Sequence, residues 1–228
     1  MSMMPVAVWG RPDPGVRLWV PFNGNVSTDR SIYNHTPVEV GFPPATISGG
    51  QMNLTSTNAE TITYGLSTNF SRPAGQGWTL ECFITKTGAN SNYAVPENAF
   101  LRYNMGNIGP YILSLSWDGS SNRIALQTND SGFEPIGTIV IPNGVKTHVA
   151  VVLPDGMGVI PYRIYVGGVL DYTYTQPGGG DGATCVTGSV VIGKFGNTSS
   201  VNYSIDDVRF TARGRYSGAS FTPPNSPL

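Results

Sequence analysis

About a dozen short runs in this chain alternate apolar with polar side chains, and nearly every run is closed by Gly, Pro, Asn or Asp. Period two is the repeat of an extended chain with one face buried, so the pattern admits strands and excludes amphipathic helices. In Val16-Arg17-Leu18-Trp19-Val20-Pro21-Phe22, the residues Val16, Leu18, Val20 and Phe22 share a face. Trp78, Leu80, Cys82 and Ile84 do the same. No run repeats at helical spacing for ten residues. The fold expected is an all-β sandwich of two antiparallel sheets around one core.

Composition agrees. Charged residues are 12% of the 228, against roughly 25% in an ordinary soluble protein. Gly (29) and Pro (18) take up much of the difference, as many tight turns require. All-β sandwiches of this length commonly form one domain, so residues 16–224 are expected to be one unit. Residues 1–15, with Pro5, Pro12, Pro14 and Gly15, read as an extended arm, and 225–228 as a tail.

Further expected strands are Val38 to Val40, Ala99 to Tyr103, Tyr111 to Trp117, Arg123 to Gln127, Thr138 to Ile141, His148 to Leu153, Tyr162 to Val166, Val169 to Tyr174, Ser189 to Gly193 and Tyr203 to Phe210. No strand is assigned between residues 41 and 77. Asp118-Gly119 predicts a hairpin, and Pro142-Asn143-Gly144 a turn. Gly167-Gly168 predicts a two-residue hairpin, whose primed turn needs positive φ. Ile205 and Val208 are three apart, which breaks the alternation and predicts a bulge.

Several function classes lose support here. The net charge is −1 and the pI near 6.1, so nothing draws a polyanion such as nucleic acid. Arg209, Arg213 and Arg215 read as solvated loop charges. Cys82 and Cys185 make neither a disulfide framework nor a metal spacing, and Cys82 reads as a buried hydrophobe. The N-terminus lacks a secretory pattern, and no run approaches the ~20 apolar residues of a membrane helix. Synthesis in a cytoplasm is therefore expected. Asn-x-Ser/Thr triplets at Asn25, Asn34, Asn53, Asn69, Asn129, Asn197 and Asn202 then read as chance in a chain rich in those residues.

The order of the pieces resembles the laminin-G-like (concanavalin A-like) jelly-roll family. Phe22-Asn23-Gly24 and the Asp29 to Thr36 loop match its opening, and Trp78 to Phe83 its Trp-Thr-Leu-Glu-Cys strand. Lys146-Thr147-His148-Val149-Ala150 keeps the second of the family's paired histidines. Tyr165 to Gly168, Val191-Ile192-Gly193 and Ile205 to Phe210 follow in order, over residues 16–224. The ending Phe221-Thr222-Pro223-Pro224 resembles the variant common in bacteriophage virion proteins. The resemblance implies a two-sheet jelly roll of roughly a dozen strands. It also implies a virion location: capsid decoration, head fibre or tail.

Function must be read from sites, because this fold hosts lectins, hydrolases and structural modules. A glycosidase needs two carboxylates flanking one bond. Glu81 is alone on its strand, and a regular strand would send Asp206 and Asp207 to opposite faces. No catalytic residues are assigned. His148 reads as structural, and His35 lies in a polar loop. Asp29, Asp118, Asp206 and Asp207 are the oxygen donors available to calcium, with Asp206 and Asp207 the weak candidates. Their preferred reading is hydrogen bonding that pins loops, and no cofactor is assigned beyond that. Tyr93, Tyr103, Asn104, Trp117 and Asp118 are the candidates for a glycan site, pairing aromatic faces with amide and carboxylate groups. Met4, Val6, Val8 and Trp9 make the arm a candidate docking element. The expectation is a non-catalytic virion structural protein, a homo-oligomer with other virion proteins as partners and a host surface glycan as ligand. A free-standing lectin and a glycan hydrolase are the alternatives.

Overall fold

The alternating runs become fourteen strands in two antiparallel sheets packed face to face in the computed structural model. It describes residues 15–23, 27–41, 45–54, 60–87, 99–105, 109–117, 122–128, 137–175, 184–194 and 202–224, with backbone alone at 40–41, 99, 105, 109–117, 127–128 and 194. The eight-stranded sheet contains β1 (Val16–Val20), β3 (Thr46–Ser48), β4 (Gln51–Leu54), β6 (Trp78–Lys86), β10 (Thr147–Leu153), β11 (Tyr162–Val166), β12 (Val169–Tyr174) and β14 (Tyr203–Thr211). Its order is β12-β11-β10-β6-β14-β4-β3, and β1 pairs with the second half of β14. The six-stranded sheet orders β2 (Pro37–Gly41), β5 (Glu60–Ser67), β13 (Gly188–Lys194), β7 (Ala99–Met105), β8 (Gly109–Trp117) and β9 (Asn122–Thr128). Among the described residues the helical content is one 3-10 turn, Thr68–Phe70, capped by Ser67 Oγ.

The inner faces meet in one apolar cluster that takes residues from Leu18 to Phe210. Trp78, Tyr103 and Phe210 form its aromatic centre, with ring centroids 5.2 Å apart for Trp78–Tyr103 and 4.6 Å for Tyr103–Phe210. Such contacts stabilise beyond the area they remove from water, by about 1 kcal/mol per pair.

Turn chemistry follows the sequence. Gly167 and Gly168 adopt φ of 59° and 81°, the left-handed pair that joins β11 to β12. The predicted bulge lies in β14 opposite β6, between Asp206 and Arg209, with Asp207 at φ 48°. It has a consequence for polarity. One extra residue lets Ile205 and Val208 both enter the core, and it keeps Asp206 and Asp207 together on the outer face.

Two expectations are corrected. Thr138 to Ile141 is not a strand: it runs along the edge of β9, with Gly137 N–H donating to Ile124 O and Ile141 N–H to Asn122 O. Asp171 holds it there, accepting from the backbone N–H of Thr138 and Ile139 at 2.7 and 2.8 Å. Strands β3, β4 and β5 lie in the region where none was assigned.

Candidate functional site

The chemistry-bearing side chains collect on the outer face of the eight-stranded sheet. Period two sends Thr79, Glu81 and Phe83 of β6 outward, beside His148 of β10 and Arg209 of β14. Glu81 is the hub. His148 Nε2 lies 3.1 Å from Oε2, Tyr216 Oη–H donates to the same oxygen at 2.6 Å, and Arg215 pairs with Oε1. Arg209 stands 3.9 Å from Oε1 and 3.4 Å from Asp207 Oδ2, so it joins two acids. Asp207 also accepts from Trp19 Nε1–H at 2.5 Å, and Asp206 pairs with Lys146.

This face is roofed by the chain's own C-terminal segment, residues 213–224. Tyr216 and Phe221 stack at 3.6 Å with 3° between planes, and Phe221 meets Tyr165 edge-on at 5.2 Å. Leu170 N–H donates to Ala219 O, and Phe221 N–H to Gly168 O. A second apolar cluster of Ala150, Val152 and Tyr165, joined by Leu170, Tyr216 and Phe221, results. Glu81 is left 1% exposed and Asp207 3%. Burial by itself would raise the pKa of Glu81, yet the His148 hydrogen bond and the charges of Arg215, His148 and Arg209 hold it at about 2. For Asp207 burial wins over Arg209 and Trp19, and its pKa is raised. The arrangement is a clamp: it fixes the strap to the sheet and keeps its acids away from any saccharide.

An open depression of about 530 Å³ lies beside the strap between Phe83, Lys146, His148, Pro223 and Pro224.

The outer face of the six-stranded sheet differs. Asn104 and Arg102 of β7, Ser189 and Val191 of β13, and Ala125 and Arg123 of β9 point outward on it. Asn104 Nδ2–H donates to Ser189 Oγ at 3.1 Å.

The sequence-predicted residues divide accordingly. Tyr103 is corrected. It neighbours Asn104 on a strand, so the two side chains face opposite ways, and Tyr103 lies at 0% exposure with its Oη–H donating to Phe70 O at 2.6 Å. Its ring is core and offers no platform. Asn104 keeps its outward place. Trp117 ends β8 opposite Asn122, and its side chain lies outside the described residues. Tyr93, Asp118, Met4, Val6, Val8 and Trp9 lie outside them as well. The calcium candidates Asp206 and Asp207 are engaged by Lys146, Arg209 and Trp19. Asp29 accepts from Trp19 N, Ser31 N, Ser31 Oγ and His35 N at 2.8–3.0 Å, pinning its loop. Arg209 and Arg215, expected as solvated charges, are ion-paired instead, Arg209 with Glu81 and Asp207 and Arg215 with Glu81. His148 is structural as expected, buried between Glu81 and Phe83. The strap residues Tyr216 and Phe221 were not singled out. Aromatics five apart behind an arginine stretch at a chain end are the signal that marks them.

Fold and site together define a two-sheet β-sandwich whose eight-stranded sheet has its outer face roofed by the chain's own C-terminal segment. No protein-family model and no curated protein matches the sequence. Solved structures match the fold. The binding domain of Paraclostridial Mosquitocidal Protein 1 is similar at TM-score 0.64 and 14% identity, over 90% of this chain and 51% of that one. A botulinum neurotoxin type C chain, from a toxin whose cell entry depends on two ganglioside molecules, is similar at 0.56 and 17%, over 88% and 48%. Domain 4 of a GH43 extracellular arabinanase from Geobacillus stearothermophilus, solved with arabinotriose, is similar at 0.54 and 14%, over 87% and 93%. The chain thus spans about half the length of the toxin chains it matches. At these identities the likeness is one of fold.

Proposed function

We propose that residues 16–224 form a non-catalytic module that binds a surface glycan and is carried on a bacteriophage virion. One observation carries the non-catalytic part: Glu81 and Asp207, two outward acids joined by Arg209, are both ion-paired and buried, Glu81 under Tyr216 and Arg215 of the strap and Asp207 against Trp19, so neither can flank a glycosidic bond. The outer face of the six-stranded sheet, with Asn104 on it, is the surface this reading assigns to a saccharide. Neighbours of the same fold support the reading, since one was solved with arabinotriose and another depends on gangliosides. The virion context rests on the resemblance of the closing strand and of Phe221-Thr222-Pro223-Pro224 to phage proteins. There the arm with Met4, Val6, Val8 and Trp9 would dock on other virion proteins, in a homo-oligomer.

The test has two arms. The full chain is screened on a glycan array, and virions of the source phage are inventoried by mass spectrometry. Retention of a glycan without its cleavage, together with the chain in purified particles, is the expected outcome. Release of shortened saccharide overturns the non-catalytic reading, and absence from particles overturns the virion role.

A further inference from the structure

The depression beside the strap is built by separate parts of the chain: β6, the start of β10, the β11–β12 turn and the end of the strap all reach it. Its open volume of about 530 Å³ suits a small ligand. Two kinds of surface line it. Phe83 and the half-buried Pro223 and Pro224 supply apolar rings. Lys146, Thr147, His148 and Thr222 supply polar groups. Thr147 Oγ1–H donates to Val145 O at 3.1 Å, which leaves the oxygen as an acceptor.

One polar group of this wall is unmet. His148 is 3% exposed, and its Nε2 faces the Glu81 carboxylate at 3.1 Å. Its Nδ1 is shut off from solvent and has no partner among the described residues. With Nε2–H given to Glu81, Nδ1 offers a lone pair in the neutral ring and an N–H in the charged one. A hydroxyl meets either need, because it both donates and accepts. A buried polar atom without a partner is costly, so a ligand that supplies one gains by it. Charge narrows the ligand further. Lys146 is already paired with Asp206 and lies over the Phe83 ring at 5.1 Å, so an anion finds its cation matched. A wholly apolar ligand would leave Nδ1 unmet. A sugar ring suits both surfaces, with C–H bonds on its face and hydroxyls on its edge. We infer that the depression is a saccharide subsite separate from the six-stranded face, taking a neutral sugar ring against Phe83, Pro223 and Pro224 with hydroxyls toward Thr147, Thr222 and His148. This rests on the glycan-binding reading above and adds a second site to it.

The probes are arabinotriose and a panel of other neutral oligosaccharides, set beside polygalacturonate, each titrated into the isotope-labelled full chain. A neutral oligosaccharide shifts the amide resonances of Lys146, Thr147, His148, Gly167 and Thr222 together. Thr147→Val combined with Thr222→Val removes two hydroxyls, from a half-buried and an exposed position, and weakens that binding about tenfold. Thermal unfolding of the double variant stays close to the parent, since neither side chain is in the core. A neutral oligosaccharide that shifts resonances of the six-stranded sheet alone, or that the double variant binds as the parent does, overturns this inference and leaves the glycan-binding reading standing. Preference for polygalacturonate at the depression overturns it too. Binding of no glycan at all defeats both readings.

Discussion

The outer faces of the two sheets are both polar in sequence, but they are built differently. On the eight-stranded sheet the acids and cations balance each other, and the strap of residues 213–224 covers them. On the six-stranded sheet the outward strand positions carry Arg102, Asn104, Ser189, Val191, Ala125 and Arg123, and Ser189, Val191 and Ala125 are nearly shut off from solvent. Charge balance under a cover builds stability, because each ion desolvated has a partner. The face closed by its own chain is thus marked by charges that cancel within it.

Substitutions should separate the faces sharply. Glu81→Ala strands Arg215, Arg209 and His148 in the sheltered layer, and a loss of about 3–5 kcal/mol in denaturant unfolding is expected. A loss under 1 kcal/mol would mean that the strap is not clamped by charge. Gly168→Ala comes next. Its φ is 81°, and a Cβ there would lie 2.3 Å from Phe221 O, so the turn and the strap cannot both be kept. About 1–3 kcal/mol and new exposure of Tyr216 to a fluorescence quencher are expected.

Acid acts on the same hub. The folded pKa of Glu81, about 2, lies below its ordinary value near 4.5, so its contribution is full above about pH 4.5 and is lost as the pH falls toward 2. Asp207, with a raised pKa, works the other way: protonating it relieves a buried charge. Parent and Glu81→Gln stabilities, measured from pH 6 to 2, should therefore converge on the acid side; parallel curves would remove Glu81 from the clamp. Tyr216→Phe deletes one bond to Glu81 Oε2 and should cost about 1 kcal/mol. The smallest effect belongs to the other face, where Arg123→Gln should shift stability by less than about 0.5 kcal/mol. A larger loss would show that Arg123 serves the fold.

Legibility in the sequence follows the same division. The Gly167-Gly168 hairpin and the Ile205–Val208 bulge are local: a turn needs positive φ, and a broken alternation needs an extra residue. The strands β4 and β5 escaped because Gln51-Met52-Asn53-Leu54 is short and Glu60 to Ser67 carries Thr and Gly between its apolar residues, a weak signal over so few positions. Thr138 to Ile141 has the side chains of a strand, yet the Asp171 carboxylate takes the N–H groups that a ladder would use. In the candidate site, the aromatic Tyr103 and the polar Asn104 both suit a sugar, and only the period of two separates them.

The sequence by itself determined the all-β class, the two-sheet sandwich and the places of the tightest turns, because side-chain alternation and backbone φ are properties of neighbouring residues. The tertiary structure alone decided that the polar outer face of the eight-stranded sheet is sealed. Glu81 and Arg215 are far apart along the chain, and whether two charges neutralise each other depends on the distance that folding leaves between them.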